Sequence, residues 1–218
     1  MSYSCLEELQ VDLDLHMLDK TSILYNAGCQ YDDGWLIVTN DGICYLFDKN
    51  GNRDDITKIK QLEAKHIRKD IIKIIIPDSV TSIGDYVFDN CRILASVTIS
   101  DNMIHIGDGA FRDCASLTSI TIPDNVTIIG PSTFSHCRSL THVMIGNNVT
   151  CIWDYAFTNC HSLTSVTIGN NATIIGQYAF YGCNNLINLT FKNKTLEQVK
   201  KIDNYPWGIK NESIINVE

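Results

Sequence analysis

"SLTSITIPDNVTIIGPSTFSHCR", from Ser116 to Arg138, is one unit of a pattern that returns every 23 residues. Phenylalanine marks the period at Phe88, Phe111, Phe134, Phe157 and Phe180. Cysteine follows three residues later each time, at Cys91, Cys114, Cys137, Cys160 and Cys183. An Ile-Gly pair precedes the phenylalanine at Ile83-Gly84, Ile106-Gly107, Ile129-Gly130 and Ile175-Gly176, and Ile152-Trp153 is the one departure. Within the unit, Leu117, Ile120 and Ile122 fall on one side of an extended segment. Val126, Ile129 and Phe134 return over them from an opposite wall. One unit is too small to offset the entropy of ordering its own backbone, whereas a stack shares its burial between neighbours. A fixed period of this length therefore predicts a solenoid.

The same unit resembles the BspA-like branch of the leucine-rich repeats, over about residues 71–191. That resemblance implies an α/β leucine-rich repeat solenoid, with parallel strands on one side of a curved array and short turns or helices on the other. It also implies a family of binding and adhesion surfaces that share no single chemistry.

Outward from the array, the chain divides into four parts. Residues 1–55 read as a small α+β unit. It comprises a helix over residues 1–20, a strand at Ser22–Tyr25, and a hairpin of Trp35–Thr39 and Ile43–Phe47 turned by Asp41-Gly42. Residues 56–70 suit a degenerate capping repeat that covers the open end of the first coil. Residues 71–191 are the repeats. Residues 192–218 close the other end, with a short helix from Thr195 turning Leu196, Val199 and Ile202 inward, and Tyr205 to Gly208 laying aromatic bulk over the last coil.

Charge is unevenly spread along a chain of net −8. Residues 1–48 hold one base against nine acids, and residues 49–73 hold eight bases against four acids. No chain-wide basic footprint exists, so direct nucleic-acid binding is not expected. No run of eighteen apolar residues exists, so no membrane span is expected either. The stretch "MSYSCLEELQVDLDLHMLDK" carries acids where a secretory leader carries bases and an apolar core, and the expectation is a cytoplasmic protein. Of nine cysteines, five form the inward column, where thiols all point the same way and cannot all pair. Reduced structural thiols are expected.

No catalytic motif is present: there is no GxxxxGK, HExxH, CxxC or GxSxG. His136-Cys137 and Cys160-His161 look like ligand pairs, but each cysteine faces inward and its histidine outward, so the two cannot converge on one metal. Asn-x-Thr sequons at Asn125, Asn148 and Asn171 arise from the repeat's own turn. Neither a cofactor nor an active site is expected.

Two surface features depart from the repeat average. On the outward columns of the strands, small polar residues dominate except at His142 and Met144. Elsewhere, Trp153 stands in the glycine column, and Tyr155, Tyr178 and Tyr181 fall on the same and the next repeat. Exposed Trp and Tyr are the residue types that anchor interfaces. These six residues are the candidate protein-binding positions. The function expected is a non-enzymatic protein–protein interaction scaffold. One alternative is an intracellular inhibitor or decoy, of phage origin, whose acidic residues 1–48 dock on a basic cleft of a nucleic-acid enzyme. A surface adhesin, which the resemblance favours, is the other.

Overall fold

The computed structural model describes residues 29–31, 34–38, 43–48, 72–76 and 81–218. The expected helix over 1–20, the strand at Ser22–Tyr25, the Asp41-Gly42 turn and the capping repeat at 56–70 lie outside the described residues. So does most of the acidic segment.

Each repeat forms one coil that contributes a strand to each of two walls. The front wall is built from β4 (Lys73–Ile75), β6 (Ser96–Thr98), β8 (Ser119–Ile122), β10 (His142–Ile145), β12 (Ser165–Ile168) and β14 (Asn188–Phe191). All its pairings are parallel and in repeat register, so Val143 lies opposite both Ile120 and Val166. Burial alternates along β8 and β10 as the period of two requires: Ile120, Ile122, Val143 and Ile145 face in, and Ser119, Thr121, His142 and Met144 face out. Between β6 and β8 the wall is held by the long Thr118 N–H to Ala95 carbonyl bond, at 3.4 Å.

The back wall is a second parallel ladder of two-residue strands: β5 (Ser82–Ile83), β7 (His105–Ile106), β9 (Ile128–Ile129), β11 (Cys151–Ile152) and β13 (Ile174–Ile175). This corrects the expected α/β class. The fold is a parallel β-solenoid, and no helix occurs within the described repeats. The reason lies in the turn that joins the two walls. Two of its columns hold left-handed backbone, at Tyr86, Gly109, Ser132, Tyr155 and Tyr178, and again at Asn90, Asp113, His136, Asn159 and Gly182. Two left-handed residues four positions apart in every joining turn leave no run there long enough for an α-helix.

Both ends of the front wall are extended. The expected hairpin is present as β2 (Gly34–Val38) and β3 (Ile43–Asp48), with Leu36 opposite Leu46. β1 (Cys29–Tyr31) pairs antiparallel with β2, and β3 pairs parallel with β4. At the other end the tail traces one more coil. The helix α1 (Leu196–Lys200) opens on a Thr195/Gln198 capping box, Asp203 bridges to Ile174 of the back wall, and β15 (Ile215–Val217) pairs with β14. Val199 and Ile202 are buried as expected, but Leu196 is 44% exposed, because a helix this short buries only Val199. Trp207 is fully buried, 5.5 Å from Phe191 and edge-on to Tyr205 at 5.2 Å.

The core runs the length of the array. The five phenylalanine rings stack nearly parallel, with centroids 5.3–5.6 Å apart. Beside them, each cysteine thiol donates to the carbonyl of the phenylalanine one coil earlier: Cys114 to Phe88 at 3.3 Å, Cys137 to Phe111 and Cys160 to Phe134 at 3.2 Å, Cys183 to Phe157 at 3.1 Å. Cysteine suits this column because it is small, apolar and still a weak donor to a buried carbonyl. The thiols at Cys91, Cys114, Cys137, Cys151, Cys160 and Cys183 are all free.

Burial pushes the Cys114, Cys137 and Cys160 thiols well above the ordinary range. The folded state therefore favours the neutral thiol. Stability is fully present below the unfolded thiol pKa of about 8.5. Above it the unfolded chain ionises first, and stability should fall by about 1.4 kcal/mol per pH unit for each buried thiol. Urea midpoints at about pH 7 and about pH 9.5 check this, with a shallower fall expected for Cys137→Ala. An unchanged midpoint at the higher pH would contradict it.

Candidate binding surface

The candidate positions separate onto the front wall and the joining turns. His142 and Met144 lie on β10, on the outward face of the front wall. His142 is flanked in register by Ser119 and Ser165, and its Nδ1 lies 2.9 Å from the Thr141 hydroxyl. Met144 is 53% exposed, and Thr121 and Thr167 flank it. Apart from these two residues, and Lys73 and Asn188 at its ends, the face is a field of serine and threonine. Threonine hydroxyls at its border donate to carbonyls one coil earlier, Thr141 to Thr118 and Thr164 to Thr141, both at 2.9 Å.

The four aromatic candidates lie together on the joining turns of the fourth and fifth coils. Tyr155 stacks on Tyr178 with centroids 5.6 Å apart, and Tyr181 meets Tyr178 edge-on at 5.7 Å. Trp153 precedes Asp154 and Tyr155 on the same turn. All four are between 39% and 49% exposed. None of the three hydroxyls, nor the Trp153 indole N–H, has a hydrogen-bond partner among the described residues.

Tyr155 and Tyr178 hold left-handed backbone, at φ 59° and 58°. Their column also contains Gly109, which takes that conformation freely. For a bulky side chain it costs about 1–2 kcal/mol. The sequence thus keeps two tyrosine rings on these turns against a backbone preference for something smaller.

Trp153 is explained by the coil before it. In this column glycine is required by close approach: a Cβ at Gly107, Gly130 or Gly176 would lie 2.4–2.5 Å from the carboxylate of Asp85, Asp108 or Asp154, respectively, and at Gly107 and Gly176 also 2.3–2.7 Å from backbone atoms of the preceding coil. That carboxylate accepts a backbone N–H from the next coil, from Asp108 to Asp85 at 2.9 Å and from Gln177 to Asp154 at 2.6 Å. The residue that stands 22 positions before Trp153 is Pro131, which brings no carboxylate into the space. Asp108, whose neighbour in the next coil is Pro131 with no N–H to give, is raised above the ordinary carboxylate pKa by burial and by Asp85.

The metal-ligand look-alikes separate as the periodicity requires. Cys137 and Cys160 are buried while His161 is exposed, and its Nδ1 lies 3.0 Å from the Gly182 carbonyl. Among the described residues no three His, Cys, Asp or Glu side chains are placed to hold a metal ion.

Placing aspartate at position 131 should clash with Trp153 and cost roughly 2 kcal/mol, the scale of overpacking. In a Trp153→Gly background the same Pro131→Asp change should cost little, since its carboxylate then meets the Asp154 N–H. A double-mutant cycle by urea denaturation should show coupling of about 1–3 kcal/mol between the two positions. Additive effects would sink the account of the tryptophan.

The chain matches the BspA type Leucine rich repeat region in six copies, over residues 65–187 and 152–207. Among solved structures it is similar to the leucine-rich repeat protein of T. pallidum, with 27% identity and a TM-score of 0.61 over 73% of this chain and 80% of that one. It is similar in fold to the pneumococcal vaccine antigen PcpA, with 19% identity and a TM-score of 0.61 over 79% of this chain and 40% of that one. No curated protein matches the chain significantly. Six family copies and the two-walled coils agree: the chain is a leucine-rich repeat protein and belongs to the BspA-type leucine-rich repeat family.

Proposed function

We propose that the chain is a non-enzymatic binding scaffold whose partner is another protein, and that the partner docks on the aromatic corner of Trp153, Tyr155, Tyr178 and Tyr181. One observation carries the reading: four exposed rings gathered on two successive coils, two of them held at a backbone cost, with no polar end hydrogen-bonded among the described residues. Rigid aromatic side chains lose little entropy on binding and dominate interface energetics. A solenoid coil fixes them in place, so a partner meets a prepared surface. The front wall, where serine and threonine predominate around His142 and Met144, is the weaker candidate.

Trp153→Gly separates the two roles the ring could have, because glycine restores the repeat pattern. If the ring anchors a partner, stability should hold or rise while affinity falls by about 2 kcal/mol or more. The measurement pairs a urea melt with capture of the partner from a lysate of the source cell, with His142→Ala as the front-wall control. A lowered melting midpoint with capture unchanged would return the corner to a packing role.

A further inference from the structure

Between Arg138 and Lys192 the only Asp, Glu, Lys or Arg is Asp154. Its Oδ1 is occupied by the Gln177 N–H at 2.6 Å. The first two coils differ: there the Tyr86 ring lies 5.2 Å from the Arg112 guanidinium, which pairs with Asp89 at 2.8 Å. The two coils that carry the aromatic corner therefore hold a single charged side chain of their own, and the nearest others belong to the tail coil stacked on the fifth, where Asp203 and Lys210 are exposed.

Three further observations narrow what fits. Four rings at 39–49% exposure offer about 100 Å² each, or about 400 Å² together. That is half the ~800 Å² per side of a standard protein interface, so the rings alone do not make up a protein–protein contact. On the fourth turn the backbone is already engaged: the Tyr155 N–H donates to Gln177 at 3.2 Å and the Asn159 N–H to Tyr181 at 2.7 Å. An added peptide strand would find no ladder there. What remains free is apolar ring surface bordered by neutral groups that donate and accept: three phenol hydroxyls, the indole N–H and the exposed amides of Gln177 and Asn184. Among the described residues none of these side-chain groups is hydrogen-bonded. A pyranose presents the matching pair of features, a C–H face that lies on an aromatic ring and a rim of hydroxyls that both donate and accept.

We infer that the corner recognises a neutral glycan carried by the partner protein. This rests on the corner being the docking surface.

The test uses the full chain against an array of immobilised neutral glycans, with sialylated and sulfated glycans alongside. A glycoprotein that bears the best neutral glycan follows, intact and after enzymatic deglycosylation. Binding to a neutral glycan is expected, weakened about 10-fold or more by Trp153→Ala and by Tyr178→Ala and unaffected by Tyr86→Ala. Tyr178→Phe keeps the ring stack and loses one hydroxyl, so it should remain folded and bind with an intermediate loss. The inference is overturned by silence across the neutral glycans, by binding to acidic glycans alone, or by neutral binding that the corner variants leave intact. If the deglycosylated protein is held as tightly, and the corner variants still release it, the glycan is wrong while the docking surface stands.

Discussion

Each joining turn passes its backbone N–H groups to the coil after it, and every other feature of the molecule has to fit that ladder. Phe88 donates to Ala110, Phe111 to Thr133, Phe134 to Ala156 and Phe157 to Ala179, all at 2.8–2.9 Å, and Phe180 closes the series on Trp207 at 3.1 Å. Because the coils repeat at one spacing, a residue is judged less by its own coil than by what stands beside it one coil away. The phenylalanines stack, the cysteines reach back to the phenylalanine carbonyls, and glycine appears where the previous coil sets an aspartate. The tail obeys the same rule without the sequence pattern. Trp207, Asp203 and β15 each take up the position of a missing repeat.

How much of this the sequence discloses depends on whether a position repeats in residue type or only in conformation. The phenylalanine and cysteine columns are uniform, so their inward direction and stacking were legible, as were the front strands from Ile120 and Ile122. The back wall was not, since strands as short as Ser82–Ile83 carry no alternation to read. Short turns or helices were expected on that side because the left-handed columns are disguised. One reads Tyr, Gly, Ser, Tyr, Tyr, and only the other, with its Asn, Asp and Gly, advertises a turn.

The surface candidates show the same division. Trp153 stood out because it breaks a column, but the reason it is tolerated lies at Pro131, in a different coil. Tyr155, Tyr178 and Tyr181 could be placed near one another from register alone, while the ring geometry needed coordinates. That Asp154 is the one Asp, Glu, Lys or Arg between Arg138 and Lys192 was visible in the sequence, yet it gains meaning only once the exposed aromatics are known to sit within that stretch. A solenoid of this kind separates stability from recognition. Inward columns are nearly fixed, and the outward ones can vary coil by coil without disturbing the ladder.

The central claim is that the aromatic corner is a rigid part of one cooperative array, and native-state hydrogen exchange tests it most directly. The amides of Phe134, Tyr155, Phe157 and Asn159 all donate along the joining turns. They should exchange with one common free energy, close to that of global unfolding. Rapid exchange at Tyr155 and Asn159, with Phe134 still protected, would mean that the fourth turn opens on its own and that the rings are not held ready for a partner.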